Sequence, residues 1–239
     1  MPVTFVAASA AGGWAAMNEQ NDDRWRGERS RFVVADASGP HYGGYYAPFG
    51  VDYAIELLYI TQDLAGVVAA ADAWLRMRDA AYRAAMPPGG DRLAAARHAA
   101  DAVRPPAWEH LRGRSFAHFT ASVAVADLDG ARATIAQVGS CRIYRRRGDV
   151  LELIARDHCL AAPHEEVVVA CLGAGKLRVS ITELAVAPGD RLVLCTDGAW
   201  RCGDDLVRRL CDADDLAEVL AAAAAQRRDS ATALVVAIG

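Results

Sequence analysis

Three aspartates in this chain stand next to apolar segments, where a carboxylate can serve either structure or chemistry. Asp36 ends the segment 32–36, and Asp197 ends the mainly apolar segment 192–197. Asp229 leads into the last apolar stretch of the chain. Taken singly, each is explained by a turn or a helix cap, because Asp accepts hydrogen bonds from nearby backbone N–H groups. Taken together, they predict one site if the fold brings the three segments to the same place.

Carboxylates that share a site require positive charge. Two close carboxylates repel by ~4 kcal/mol at an effective dielectric constant of about 20. Divalent cations offset that repulsion, and hard oxygen ligands suit Mg²⁺ or Mn²⁺. The three aspartates therefore predict a divalent-cation site.

Turn signals in the sequence predict antiparallel strand pairs that could position these aspartates. Asp129-Gly130 suits the positive φ of a tight hairpin, and Gly148-Asp149 and Pro188-Gly189-Asp190 separate two further pairs of apolar runs. The predicted strands are 3–8, 31–35, 123–126, 133–138, 142–145, 150–154, 179–186, 191–195 and 235–238.

Apolar residues at helical spacing predict three helices, over 51–85, 91–103 and 215–228. Proline pairs follow the first two, and two arginines end the third, where the helix dipole favours positive charge. Strands joined by short turns, with long helices in a block, exclude a doubly wound sheet. They favour an α+β fold in which helices cover antiparallel sheets.

Composition narrows the class of protein. The 239 residues are 53% hydrophobic, which excludes disorder and predicts a single domain over 1–239. The net charge of −4 predicts no nucleic-acid partner. No apolar run reaches the ~20 residues needed to span a bilayer, so no membrane partner is expected. The six cysteines form no CxxC pair and are expected to be reduced thiols in a cytoplasmic protein.

Five motifs, in order across nearly the whole chain, resemble those of the bacterial protein phosphatase 2C-like (PPM-type) family. The first, 32–41, resembles the family's strand and its Asp-Gly-x-Gly-Gly-His loop. Residues 137–144 resemble the family's Val-Gly-Asp-Ser-Arg hairpin, and residues 156–160 resemble its Asp-His segment. Residues 188–198 resemble its Gly-Asp to Asp-Gly strand, and residues 228–232 resemble its Arg-Asp-Asn-x-Thr element.

The resemblance implies a four-layer αββα sandwich of two mostly antiparallel sheets, with a metal cleft at one edge. In that arrangement Asp36 bridges two Mg²⁺ or Mn²⁺ ions, and Asp197 and Asp229 hold one of them. The backbone carbonyl of Ala37 is a further ligand. Asp22 and Asp23 match two acids of the family that orient metal-bound waters.

The implied activity is hydrolysis of phosphoserine or phosphothreonine in proteins by a metal-activated water, without a phosphoenzyme. His41 is a candidate general acid for the leaving oxygen, and a histidine that only positions its Gly-rich loop is the open alternative. His158, beside Asp157, is expected to be structural rather than part of a catalytic dyad. The implied partners are phosphorylated proteins, such as a serine/threonine kinase or its targets.

The sequence departs from the family pattern where the phosphate is gripped and the substrate is selected. Asn18 stands near the place of the family's phosphate-binding arginine, and Asn cannot supply a charged, bidentate donor. The phosphate-binding residue is therefore unknown, with Arg24 or Arg26 as candidate substitutes. Ser140 replaces an aspartate, which puts a third metal site in doubt. The flap segment is shortened around 160–172.

These departures leave two readings open beside an active protein phosphatase. One is a weak or inactive pseudophosphatase that binds phosphoproteins or a partner kinase. The other is a phosphatase with a different target, such as a regulator of anti-anti-sigma factors.

Overall fold

The structure is a computed structural model that describes residues 1–12, 21, 23–38, 120–161, 166–168, 170–173 and 178–239, together with the helical positions 66, 69, 72, 73, 76, 77, 80, 81 and 84. Its strands are β1 (Val3–Ala10), β2 (Asp23–Glu28), β3 (Arg31–Ser38), β4 (Thr120–Asp129), β5 (Arg132–Val138), β6 (Arg142–Arg147), β7 (Val150–Ala155), β8 (Cys159–Ala161), β9 (Glu166–Val168), β10 (Ser180–Ala185), β11 (Arg191–Cys195) and β12 (Ala231–Ile238). Its C-terminal helices are α1 (Asp197–Trp200), α2 (Asp204–Asp212) and α3 (Leu216–Arg227).

Two five-stranded sheets form the centre of the fold. Sheet 1 has the order β1-β12-β11-β6-β7, and sheet 2 has the order β10-β5-β4-β3-β2. All the strand pairs within them are antiparallel. Strands β8 and β9 form a separate two-stranded sheet. The expected pair of antiparallel sheets is therefore present.

The main core lies between the two sheets. Alternate residues of β3, such as Phe32 and Val34, pack against alternate residues of β11, such as Leu192 and Leu194. All four of these side chains have no exposed surface. Burial of such side chains is worth about 1.5–3 kcal/mol each, so this layer supplies much of the stability.

A second core lies between sheet 1 and the C-terminal helices. The other face of β11, with Val193 and Cys195, packs against residues of α2 and α3 such as Leu210 and Leu220. The second face of sheet 2 is covered as well, since Val33, which points away from the main core, is fully buried. The central strands β11 and β3 are therefore buried on both faces, as a four-layer sandwich requires.

The predicted third helix is confirmed, and its ends have the expected caps. The Asp215 side chain accepts a hydrogen bond of 3.1 Å from the Glu218 N–H, and Arg228 closes the helix in the left-handed conformation. The described positions between 66 and 84 are helical, in agreement with the predicted helix 51–85. The rest of that helix, the helix 91–103, and the residues Asn18, Asp22 and His41 lie outside the described residues.

Several elements differ from the sequence predictions. Strands β2, β8 and β9 and helices α1 and α2 were not predicted at all. The turn around Gly189 does not close a hairpin, because β10 belongs to sheet 2 and β11 to sheet 1. In the described part of the chain, no helix has the length and apolar character needed to cross a bilayer.

Candidate functional site

The interior between the sheets changes from apolar to polar at one end. On β3 the inward-facing positions run Phe32, Val34 and then Asp36. Sheet 1 continues in the same way, because Thr196 follows Leu192 and Leu194 with the same alternation. The strand period of two therefore points polar side chains from both sheets into the same end of the sandwich.

Strand register places two carboxylates side by side within sheet 2. Asp36 on β3 is the direct cross-strand partner of Asp23 on β2, and on its other side it is the partner of Ser122 on β4. Directly opposed side chains in an antiparallel pair lie about 5 Å apart, so like charges there repel. Register alone therefore brings Asp23 and Asp36 together.

The other two acids come from chain segments that cross at the end of sheet 1. Asp197 is the first residue of α1, and Asp229 lies between the end of α3 and the start of β12. A Cβ at Gly198 would lie 1.9 Å from the Ser230 carbonyl oxygen, and one at Gly12 would lie 2.1 Å from that of Asp229. Only glycine permits these close backbone approaches, and the one at Gly198 brings the Asp197 segment against the residue that follows Asp229.

The charges of the other three acids act on Asp36, as expected for four carboxylates in one cluster. Burial, followed by the charges of Asp197, Asp23 and Asp229, raises the pKa of Asp36 well above its ordinary value. The nearby Asp197 side chain further favours the protonated form of Asp36, so it raises the pKa of Asp36 in the same direction. Burial and the charge of Asp197 also raise the pKa of Asp229, although the Ser230 N–H and nearby arginines oppose that shift.

Asp23 is the most enclosed member of the cluster, with 3% of its surface exposed. Burial raises its pKa to about 7, although hydrogen bonds from Thr196 and Thr232 oppose this shift. The Thr196 hydroxyl donates to an Asp23 carboxylate oxygen at 2.7 Å, and the Thr232 N–H donates to the Thr196 hydroxyl oxygen at 3.0 Å. This chain of bonds holds Asp23 on sheet 2 against two strands of sheet 1.

By its chemistry, the cluster fits a hard divalent cation, because it offers carboxylate oxygens whose mutual repulsion a cation would relieve. Within the described residues, however, no three His, Cys, Asp or Glu side chains are grouped tightly enough to hold a metal ion as they stand. The structure thus brings the predicted ligands Asp36, Asp197 and Asp229 into one cluster, and joint coordination of an ion requires some side-chain movement. The Ala37 backbone continues β3 beside Asp36.

Ser140, which stands where the family has an aspartate, lies next to Asp36. Its hydroxyl is 3.5 Å from an Asp36 carboxylate oxygen and 3.0 Å from the Ser122 hydroxyl. The indole N–H of Trp200 donates to the Ser140 carbonyl oxygen at 2.8 Å. Trp200 therefore fixes the backbone that carries this neighbour of Asp36.

Asp157 and His158 do not form a dyad with each other. Asp157 accepts hydrogen bonds from Arg142, whose guanidinium lies 3.3 Å from the centre of the Trp200 ring. His158 Nδ1 accepts from the Gly139 N–H at 3.2 Å, and its Nε2 lies 3.0 Å from the Ser180 hydroxyl. His158 is thus held beneath the Gly139–Ser140 turn, and its geometry is that of a structural residue.

Arg24, which was considered as a phosphate ligand, donates to the backbone carbonyl of Asp23 at 2.7 Å and also to that of Asn21. Arg26 lies 3.9 Å from Glu28. Sequence reasoning missed the roles of Thr196, Thr232 and Trp200. Thr196 could have been found, since it continues the inward alternation of β11.

A sandwich of two five-stranded antiparallel sheets with an acidic cluster at one end defines the protein phosphatase 2C-like fold. Residues 66–238 match the family described as Stage II sporulation protein E (SpoIIE). The chain belongs to this family of PPM-type phosphatases, which are metal-dependent enzymes that act on phosphorylated proteins and use magnesium or manganese.

Solved structures support the fold over the whole chain. PppA from Pseudomonas aeruginosa, described as a key regulatory component of T6SS, is 25% identical with a TM-score of 0.67, over 99% of this chain and 98% of that chain. The serine/threonine phosphatase PstP/Ppp from Mycobacterium tuberculosis is 17% identical with a TM-score of 0.69, over 99% and 98%. The catalytic domain of PstP in complex with two manganese ions is 21% identical with a TM-score of 0.59, over 98% and 97%. No curated protein is significantly similar to the chain in sequence.

Proposed function

We propose that this chain hydrolyses phosphoserine or phosphothreonine in a protein substrate and that Asp36, Asp197 and Asp229 are its metal ligands. The observation that carries the proposal is the convergence of these aspartates, with Asp23, at the polar end of the sandwich. Structure alone does not require such a cluster, because buried like charges destabilise a fold. A cluster of this kind is expected where cations are bound.

Two Mg²⁺ or Mn²⁺ ions are the proposed cofactors. When bound, they would supply the Lewis acid that activates water and offsets charge on the phosphoryl group. By the family resemblance, Asp36 would contribute oxygens to both ions, and the Ala37 carbonyl would be a further ligand. A third ion is not part of the proposal, because Ser140 offers a hydroxyl where the family has a carboxylate.

The chain's own residues orient the site. Thr196 fixes Asp23 by the hydrogen bond of 2.7 Å. Asp23 can then accept a hydrogen bond from a water on the cation side, and Asp22 is proposed to orient such a water with it. Asp36 is held between Asp23 and Ser122 by the strand register. His41 remains the proposed general acid for the leaving oxygen. The proposed setting is a cytoplasmic signalling pathway whose substrate is a phosphorylated protein, such as a kinase or its targets.

Phosphate release from a phosphothreonine peptide and from a small aryl phosphate, with and without Mn²⁺, tests this function. We expect Mn²⁺-dependent release that EDTA abolishes, and a loss of about a hundredfold or more in Asp36→Asn, since even residues that only support metal ligands cost 10–100-fold. Asp129→Asn is the matched control, because Asp129 is exposed at the end of β4. Equal rates for wild type and Asp36→Asn would refute the proposal.

A second candidate is a pseudophosphatase that binds phosphoproteins or a partner kinase without turnover. It is favoured by Ser140, whose neutral hydroxyl contacts Asp36 in place of a carboxylate. This candidate predicts phosphopeptide binding that is the same in wild type and Asp197→Asn, with no metal-stimulated hydrolysis. Hydrolysis at the rate of an ordinary enzyme eliminates it.

A further inference from the structure

Arg201 places a positive charge directly against the acidic cluster. It follows Asp197 by one helical turn, and its guanidinium nitrogen lies 3.3 Å from an Asp197 carboxylate oxygen. The two side chains are 21% and 12% exposed, so the pair is only partly screened by water. An i,i+4 ion pair on an open helix surface is weak, whereas this one is largely enclosed.

The position of Arg201 is fixed by the chain around it. Its backbone N–H donates to the Asp197 carbonyl oxygen at 3.0 Å, which closes α1. Its guanidinium carbon lies 5.3 Å from the centre of the Trp200 ring, within the range of a cation–π contact. The charge is therefore held next to Asp197 rather than distributed over a mobile side chain.

The ion pair of Arg201 is made with a predicted metal ligand itself. Arg24, by contrast, donates to the backbone carbonyls of Asp23 and Asn21. Arg201 therefore holds its charge beside a carboxylate that a bound cation would use.

We propose that Arg201 is an internal counter-ion of the acidic cluster and that it weakens the binding of divalent cations. The inference rests on the proposed function, since it takes Asp197 as a metal ligand. A cation that approaches Asp197 meets a carboxylate already paired with a guanidinium and is repelled by its positive charge. Arg201 thereby adjusts how much Mg²⁺ or Mn²⁺ the protein needs.

Calorimetric titration of the purified protein with Mn²⁺, without substrate, tests this role. We expect Arg201→Gln and Arg201→Met to bind Mn²⁺ about tenfold more tightly than wild type, because a unit positive charge beside the ligand is removed. Arg201→Lys keeps the charge and should bind within about twofold of wild type on the same reasoning. Arg208→Gln, which removes an arginine whose guanidinium reaches the exposed Asp149 carbonyl, is the matched control.

Unchanged or weaker Mn²⁺ binding in both neutral variants overturns the inference, since Arg201 would then be inert or would orient Asp197. If circular dichroism shows that neither neutral variant folds, Arg201 is required by the fold, and the inference is likewise overturned. Asp197→Asn in the same titration distinguishes a failure of this inference from a failure of the proposed function. If it binds Mn²⁺ as wild type does, the proposed metal site fails, whatever the Arg201 variants show.

Discussion

The Thr196 hydroxyl donates a hydrogen bond of 2.7 Å to the buried Asp23 carboxylate, although 173 positions separate the two residues in the sequence. Thr196 directly follows β11 of sheet 1, and Asp23 begins β2 at the edge of sheet 2. The bond therefore joins the two sheets at the polar end of their interface and fixes one acid of the cluster relative to the others.

Replacing Thr196 by Val removes this donor while keeping the side-chain shape. We expect the free energy of unfolding to fall by about 2 kcal/mol, because the buried Asp23 oxygen and the Thr232 N–H both lose their partner. Urea denaturation measures the change. Thr196→Ser keeps the hydroxyl and should retain most of the stability, so equal losses in the two variants would contradict the assigned bond.

Asp23 should make the metal-free protein less stable as the pH rises. Its pKa is raised from 3.8 to about 7 in the fold, so the folded state binds a proton that the unfolded state has already released between these values. Stability from Asp23 is thus present below about pH 4 and is lost as the pH rises towards 7. Urea denaturation in EDTA should show that the free energy of unfolding of Asp23→Asn rises relative to that of wild type as the pH increases over this range. A difference that does not vary with pH would show that Asp23 titrates normally.

Asp190 carries a pKa shift of the opposite sign. The Arg147 guanidinium donates to both of its carboxylate oxygens at 2.7 Å, and this pairing lowers the Asp190 pKa below its ordinary 3.8. The contribution of Asp190 to stability is therefore present above about pH 4 and is lost as the pH falls through the lowered value. We expect Asp190→Asn to cost about 2 kcal/mol at pH 7 and less near pH 3.

Asp212→Asn is the control for Asp190, because Asp212 also pairs with arginines but its side chain is 57% exposed. Asp212→Asn should lower the free energy of unfolding by less than about 1 kcal/mol at either pH. A cost for Asp190→Asn that is no larger than this would show that burial does not strengthen the Arg147 pair.

Trp200→Phe keeps an aromatic ring beneath Arg142 but removes the N–H that holds the Ser140 carbonyl. We expect a loss of about 1–2 kcal/mol in stability, since the carbonyl is buried. We also expect a lower kcat with little change in KM, because the backbone beside Asp36 shifts while substrate contacts remain. Steady-state phosphatase kinetics with Mn²⁺ measure the split. Trp25→Phe, at a 40% exposed position, should change neither the stability nor the kcat.

The sequence was sufficient to predict two hairpins beside the site, because their turns use Gly at positions of positive φ. Asp129-Gly130 and Gly148-Asp149 mark the hairpins that are observed. Helix α3 was predictable from its acidic start and basic end. Strand β2 was missed because its charged residues Arg24, Arg26 and Glu28 share one face, and Trp25 is the only large apolar residue on the other. The strand is recognised by its pairing with β3.

The details of the candidate site depend on relations that no local pattern contains. Register puts Asp23 beside Asp36, and backbone contact at Gly198 puts Asp197 beside the segment of Asp229. The ion pair of Arg201 with Asp197 was visible as an i,i+4 spacing, but its burial was not. Which charges share a site is thus set by tertiary packing, while the sequence predicts only which segments end in a carboxylate.

The central claim is that Asp36, Asp197 and Asp229 close around divalent cations. It is tested most directly by a crystal structure of the protein soaked with Mn²⁺, with anomalous diffraction used to locate the metal. We expect two manganese peaks in the cluster, with the carboxylate oxygens of Asp36 about 2.1 Å from both, since small divalent cations take oxygen ligands near that distance. A fully soaked crystal with no peak beside Asp36, or with manganese bound elsewhere, would contradict the claim.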